Sequence, residues 1–115
     1  MVRLHSELDV ITKESPFNGV GRITVKEILS GSEEMYGKGR VFAHTKVYPG
    51  SRIGLHRHVG DAEVYYILSG SGRYNDNGKI IEVHPGDVCY CRDGEAHSIE
   101  AMEEPVEMIA LILYH

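Results

Sequence analysis

Two histidines two residues apart, His56 and His58, are followed five positions on by Glu63 in the stretch GSRIGLHRHVGDAEVYYILSG, Gly50 to Gly70. Two imidazoles and a carboxylate are ligands for a divalent transition ion, so a metal site is the first chemistry these residues suggest. Side chains on a strand alternate between faces, so His56 and His58 share one face and Arg57 points away. Glu63 has the wrong parity to join them on an uninterrupted strand. The intervening Val59-Gly60-Asp61-Ala62 offers a turn that brings Glu63 back on a neighbouring strand beside the histidines.

The elements around this stretch read as short strands between Gly, Pro, Asn and Asp clusters, with no long 3.6-residue periodicity. Strands are expected near Val20–Leu29, Arg40–Tyr48, Lys79–Val83, Val88–Arg92, His97–Ala101 and Val106–Tyr114. Residues 1–15 are mixed in character and are expected to form a short strand or to lie over the rest. Ser30–Gly39 reads as a connecting loop with room for one helical turn at Glu33–Tyr36. In RVFAHTKVY, Val41, Ala43, Thr45 and Val47 form the inward set, which leaves Phe42, His44, Lys46 and Tyr48 outside. Asn75-Asp76-Asn77-Gly78 is a hairpin signal, because Asn and Gly tolerate the positive φ of tight hairpin turns. Asp93-Gly94-Glu95-Ala96 is a loop that delivers His97. Eight to ten strands and no long helix fit an antiparallel barrel that leaves few open edges.

Length and composition narrow the function classes. The 115 residues suffice for one domain with a real core, and a net charge of -5 without a basic cluster argues against a nucleic-acid partner. The opening MVRLHSELDV lacks an apolar core of signal-peptide length, and the run Met108–Tyr114 is too short to span a bilayer. The expectation is therefore a cytoplasmic protein without a membrane partner. Cys89 and Cys91 are the only two cysteines; one residue apart on a strand, they are poorly placed for a disulfide and read as buried, apolar thiols.

These residues resemble the cupin family. Its first motif (glycine, five residues, His-x-His, three or four residues, glutamate, six residues, glycine) is matched by Gly50, His56, His58, Glu63 and Gly70. Its second motif is matched by Gly86, Gly94 and His97, with Arg92 where proline is usual and Ala101 where asparagine is usual. The resemblance implies an all-β jelly-roll barrel, a single domain over residues 1–115; residues 1–19 are expected to pack on it as an N-terminal segment. It also implies one divalent metal (Mn, Fe, Co, Ni, Cu or Zn) held by His56, His58, Glu63 and His97. Parity then extends the pocket to Tyr65 and Ile67 beside Glu63 and to Ile99 beside His97. Small cupins of this kind are commonly homodimers, and outward Tyr48 and Tyr66 are candidates for such an interface.

Four protein ligands on an octahedral ion leave two positions for water, substrate or dioxygen. The function expected is a metal-dependent small cupin acting on a small polar metabolite, a carboxylate or sugar-like molecule. Oxygen-using chemistry of dioxygenase or oxalate-decarboxylase type is one form this could take, and the sequence does not fix the reaction. The alternatives are a redox-neutral isomerase or lyase, and a non-catalytic binding module. No inward Glu, Lys or second His beyond the ligand set is evident to serve as a general base.

Overall fold

The computed structural model describes all 115 residues and builds the chain from ten strands in two antiparallel sheets. The strands are β1 (Val10–Glu14), β2 (Arg22–Leu29), β3 (Gly39–Val47), β4 (Arg52–Arg57), β5 (Asp61–Ser69), β6 (Gly72–Asp76), β7 (Lys79–Val83), β8 (Val88–Cys91), β9 (Ala96–Ala101) and β10 (Val106–Tyr114). One sheet has the order β1-β2-β3-β10-β5-β8 and the other β4-β9-β6-β7. The only α-helix is a single turn, α1 (Gly31–Glu34), slightly ahead of the position expected for it. No helix is long and apolar enough to cross a membrane.

The alternation read from the sequence survives in both sheets. In β3, Ala43, Thr45 and Val47 are buried and Val41 packs partly against the core, whereas His44 lies on the outer face with Nε2 3.0 Å from Glu107. The β6–β7 hairpin closes at Asn77 and Gly78, whose φ angles of +52° and +99° are those a tight two-residue turn demands. Inward side chains of both sheets, among them Val47, Ile67, Ile99, Val106 and Met108, interdigitate in one apolar cluster. Cys89 and Cys91 are buried free thiols within this interior, and burial pushes them up to about 12 and about 11.

Two local irregularities position the site. Between the pairs Ile53↔Ile99 and His56↔His97 the register of β4 on β9 shifts, so β4 carries one extra residue there. This bulge exposes Leu55 and turns His56 to the interior side that Ile53 already faces. The second irregularity is the chain turn Pro16–Asn18, which crosses over β4. Ser15, Phe17 and Asn18 all have left-handed backbone, with φ of +44°, +52° and +58°, and each such residue costs roughly 1–2 kcal/mol. Close approach holds this turn in place: a Cβ on Gly54 would run into the Phe17 carbonyl, and one on Gly19 into the Arg52 carbonyl.

Candidate metal centre

The turn between His58 and Glu63 forms as expected, with Gly60 at φ +81°, but it does not join a hairpin pair. β4 and β5 belong to opposite sheets, so the turn carries the chain across the barrel. The histidines come from one sheet, His56 on β4, His58 just beyond it and His97 on β9, and Glu63 faces them from β5. Backbone bonds lock the two motif loops together: His58 N–H donates to Glu95 O at 3.0 Å, and Gly94 N–H to His58 O at 2.7 Å.

All four side chains converge, with one donor atom of each within 4.8 Å of the others. Nε2 of His97 lies 3.1 Å from that of His58 and 3.2 Å from that of His56. Glu63 Oε1 lies 3.3 Å from His58 Nε2 and 3.2 Å from His97 Nε2, but 4.0 Å from His56 Nε2. Donors on one ion at about 2.1 Å are about 3.0 Å apart at right angles and about 4.2 Å apart when opposed. The separations of His58, His97 and Glu63 from one another, and of His56 from His97, are of the size that donors sharing one ion have. Three imidazoles and a carboxylate so placed could hold one divalent transition ion.

Each imidazole presents Nε2 inward because its Nδ1 is already occupied. His56 Nδ1 is 2.8 Å from Gly54 O, His58 Nδ1 is 2.7 Å from Asp61 Oδ1, and His97 Nδ1 is 2.8 Å from the Tyr74 hydroxyl. With Nε2 on an ion, each Nδ1–H donates to that oxygen, which fixes the tautomer and ring plane. Asp61 in turn accepts from Arg40 Nε at 3.0 Å. Phe17 stacks on His56 at 3.9 Å and 10°, and Tyr65 stacks on His97 at 5.1 Å and 16°.

The electrostatics suit a cation. Burial pushes the Glu63 carboxyl up, but hydrogen bonds from His58 and His97 outweigh it and hold the group at about 2. The Glu63 carboxylate raises His58, helped by Asp61, whereas burial lowers His56. Burial places the Tyr65 hydroxyl well above the ordinary phenol range.

A cavity of about 100 Å³ opens beside the cluster, lined by His56, His58, Glu63 and Tyr65, by Phe17, and by apolar side chains of β2, β3 and β10. Ile67 and Ile99 sit deeper, fully buried in the apolar cluster, and do not line the cavity. Lys13 and Arg40, absent from the sequence-based list, do line it. Arg92 and Ala101, the departures from the second motif, lie outside it. Arg92 lies over the Tyr90 ring on the surface, and Ala101 packs in the core.

Comparison with known proteins agrees with this geometry. Over 96 residues the chain is 45% identical to an oxalate-binding protein of Thermotoga maritima, covering 83% of this chain and 78% of that one. A solved structure of a predicted oxalate decarboxylase from Thermotoga maritima superposes with a TM-score of 0.94 at 40% identity, covering 100% of both chains. KdgF from Halomonas sp. shares the fold, with a TM-score of 0.78 at 17% identity over 100% of this chain and 95% of that one. Residues 43–112, more than half the chain, match the family model described as the cupin domain, and they run from the inward face of β3 through all four converging side chains to β10. A match of that extent, on this barrel and around this cluster, makes the chain a member of the cupin family.

Proposed function

We propose that His56, His58, Glu63 and His97 hold one divalent transition metal, and that the site takes a small carboxylate, oxalate first among them. The observation that carries this reading is the set of donor separations, 3.1–3.3 Å for four of the pairs and 4.0 Å between His56 and Glu63. A three-nitrogen, one-oxygen set suits Mn, Fe, Co, Ni, Cu or Zn. Such an ion supplies Lewis-acid activation of a carboxylate and, when redox-active, oxygen chemistry. The chain's own residues orient the ligand set through Asp61, Tyr74 and the Gly54 carbonyl, while Phe17 shields one imidazole from water. A cavity of about 100 Å³ admits a molecule of a few heavy atoms; pockets for larger ligands run to roughly 300–1,000 Å³. That size favours a short carboxylate over a sugar, as does the likeness to the oxalate-binding protein of Thermotoga maritima.

A second reading, binding without turnover, is favoured by one observation. Beyond Glu63 and the histidines, no carboxylate or imidazole lines the cavity, and burial pushes the Tyr65 hydroxyl well above the ordinary phenol range. The exposed Lys13 at the rim, contrary to the expectation of no inward Lys, is the one further side chain there for proton transfer. The decisive experiment is elemental analysis of protein purified without chelators, followed by incubation of the loaded protein with oxalate under oxygen. One equivalent of metal with formation of carbon dioxide supports an enzyme. One equivalent with oxalate bound but intact supports the binding protein. Failure to take up any divalent metal overturns both.

As a partner we propose a second copy of the chain. The outer face of the six-stranded sheet supports this, because Tyr66 pairs across to Val88 and Val64 to Tyr90, and Tyr66, Leu68, Val88 and Tyr90 are all exposed. Tyr48, the other interface candidate, is covered by Arg22, whose guanidinium lies 3.9 Å from the ring centre. Sedimentation at micromolar concentration tests the proposal, and a monomer there overturns it.

A further inference from the structure

The rim of the cavity carries two cations with hydrogen-bonding capacity to spare, Lys13 and the terminal nitrogens of Arg40. On β1, Lys13 lies opposite Ile23 and Ile11 opposite Val25, so Lys13 shares the face that turns inward with Ile23. It lines the cavity, and the ion pairs of the chain, which engage Arg3, Arg40 and Arg73, leave it free. Arg40, at the start of β3, is fixed by its Nε on Asp61. Its terminal guanidinium nitrogens have no carboxylate partner, and Arg40 too lines the cavity.

Counting charge defines the ligand these groups suit. A divalent ion with the Glu63 carboxylate leaves one positive charge, and the Arg40–Asp61 pair adds none. Lys13 adds a second. A dianion neutralises this site and offers a second carboxylate to the rim, whereas a monoanion leaves the Lys13 ammonium and the free Arg40 nitrogens without an anionic partner. We infer that Lys13 and Arg40 are the specificity-determining residues that select a short dianion over a monoanion. They donate charge-assisted hydrogen bonds to the carboxylate oxygens turned away from the metal. This inference rests on the metal and carboxylate reading above and adds to it the groups that tell one small acid from another.

The test is calorimetric titration of the metal-loaded full chain with oxalate and with glycolate, a chelating monoanion, at one ionic strength. Metal content is measured alongside for wild type, Lys13→Met, Lys13→Arg and Arg40→Met. The expected result is oxalate bound about 10-fold or more tightly than glycolate by the wild type, with about 10-fold of that preference lost in Lys13→Met. Lys13→Arg should restore most of it. Arg40→Met should lose oxalate affinity beyond any loss of metal. A protein that binds both acids with a ratio unchanged in Lys13→Met overturns the selection and leaves the carboxylate reading standing. A protein that takes up metal and binds neither acid overturns the carboxylate reading and this inference with it.

Discussion

Asp61 stands behind His58 and joins it to Arg40: its Oδ1 is 2.7 Å from His58 Nδ1, and its Oδ2 is 3.0 Å from Arg40 Nε. The carboxylate is buried, so the imidazole orientation is fixed by a charged acceptor in a place where water cannot substitute for it. Asp61→Ala is expected to lower metal affinity roughly 10–100-fold, the range found for removal of such outer partners. Asp61→Asn, which keeps an acceptor but loses the charge, should fall between. Competition with a chelating dye measures both, and equal affinity in the wild type and Asp61→Ala would refute the role.

Tyr74 does the same for His97 from the neighbouring strand, its hydroxyl 2.8 Å from Nδ1, with both side chains buried. Tyr74→Phe removes the oxygen with little change of shape and strands the buried Nδ1 of His97. An unsatisfied buried polar group costs about 1–3 kcal/mol. The denaturant midpoint of the metal-free variant should drop accordingly, and metal affinity should fall as well. A variant with the wild-type midpoint and affinity would show that the contact is incidental.

What the sequence made legible follows from what spacing can carry. Strand parity placed His56 beside His58, and the motif resemblance added His97; all four expected ligands meet in one cluster. The bulge at Gly54–Leu55 left no trace in the local pattern, although it is what turns His56 inward. Parity also put Ile67 and Ile99 on the interior side, but it says nothing of depth along a strand, and both lie below the cavity. Asp61 reads as a turn residue and Tyr74 as the flank of a hairpin, because their partners are distant in sequence. Lys13 escaped notice for a different reason: all five residues of β1 are exposed on an edge strand, so no alternation marks its inner face.

The metal-free protein should carry a pH signature of the cluster. Glu63 is held at about 2, against an ordinary 4.5. Its contribution is therefore fully present above the unfolded value and lost as pH falls towards 2. His58 is raised from 6.5 by the same contact. Its contribution is present below that value and lost as pH rises through the folded one. The stability difference between the wild type and Glu63→Gln, measured by urea denaturation with a chelator present, should peak between about pH 4.5 and 6.5 and shrink on either side. A difference that is flat from pH 2 to 8 would disprove the coupling. Loaded protein should behave oppositely in mild acid, releasing its ion as the histidines take up protons.

The turn over β4 offers a prediction that separates packing from strain. Gly54 has no room for a methyl group beneath the Phe17 carbonyl, so Gly54→Ala must push the Pro16–Asn18 turn away from the strand. That separates Phe17 from His56 and adds an overpacking cost of about 1–3 kcal/mol. Phe17→Ala removes the same ring without moving the backbone. Because Phe17 is 59% exposed, it should cost little global stability. Both variants should release metal to a chelator faster than the wild type, since both uncover His56. Only Gly54→Ala should lower the denaturant midpoint substantially and speed amide exchange at Gly19 and Val20, whose N–H groups donate to Pro16 O and Arg52 O. If Phe17→Ala leaves the release rate unchanged, the stack has no part in retaining the ion. The left-handed backbone at Ser15, Phe17 and Asn18 would then serve only to route the chain from β1 into β2.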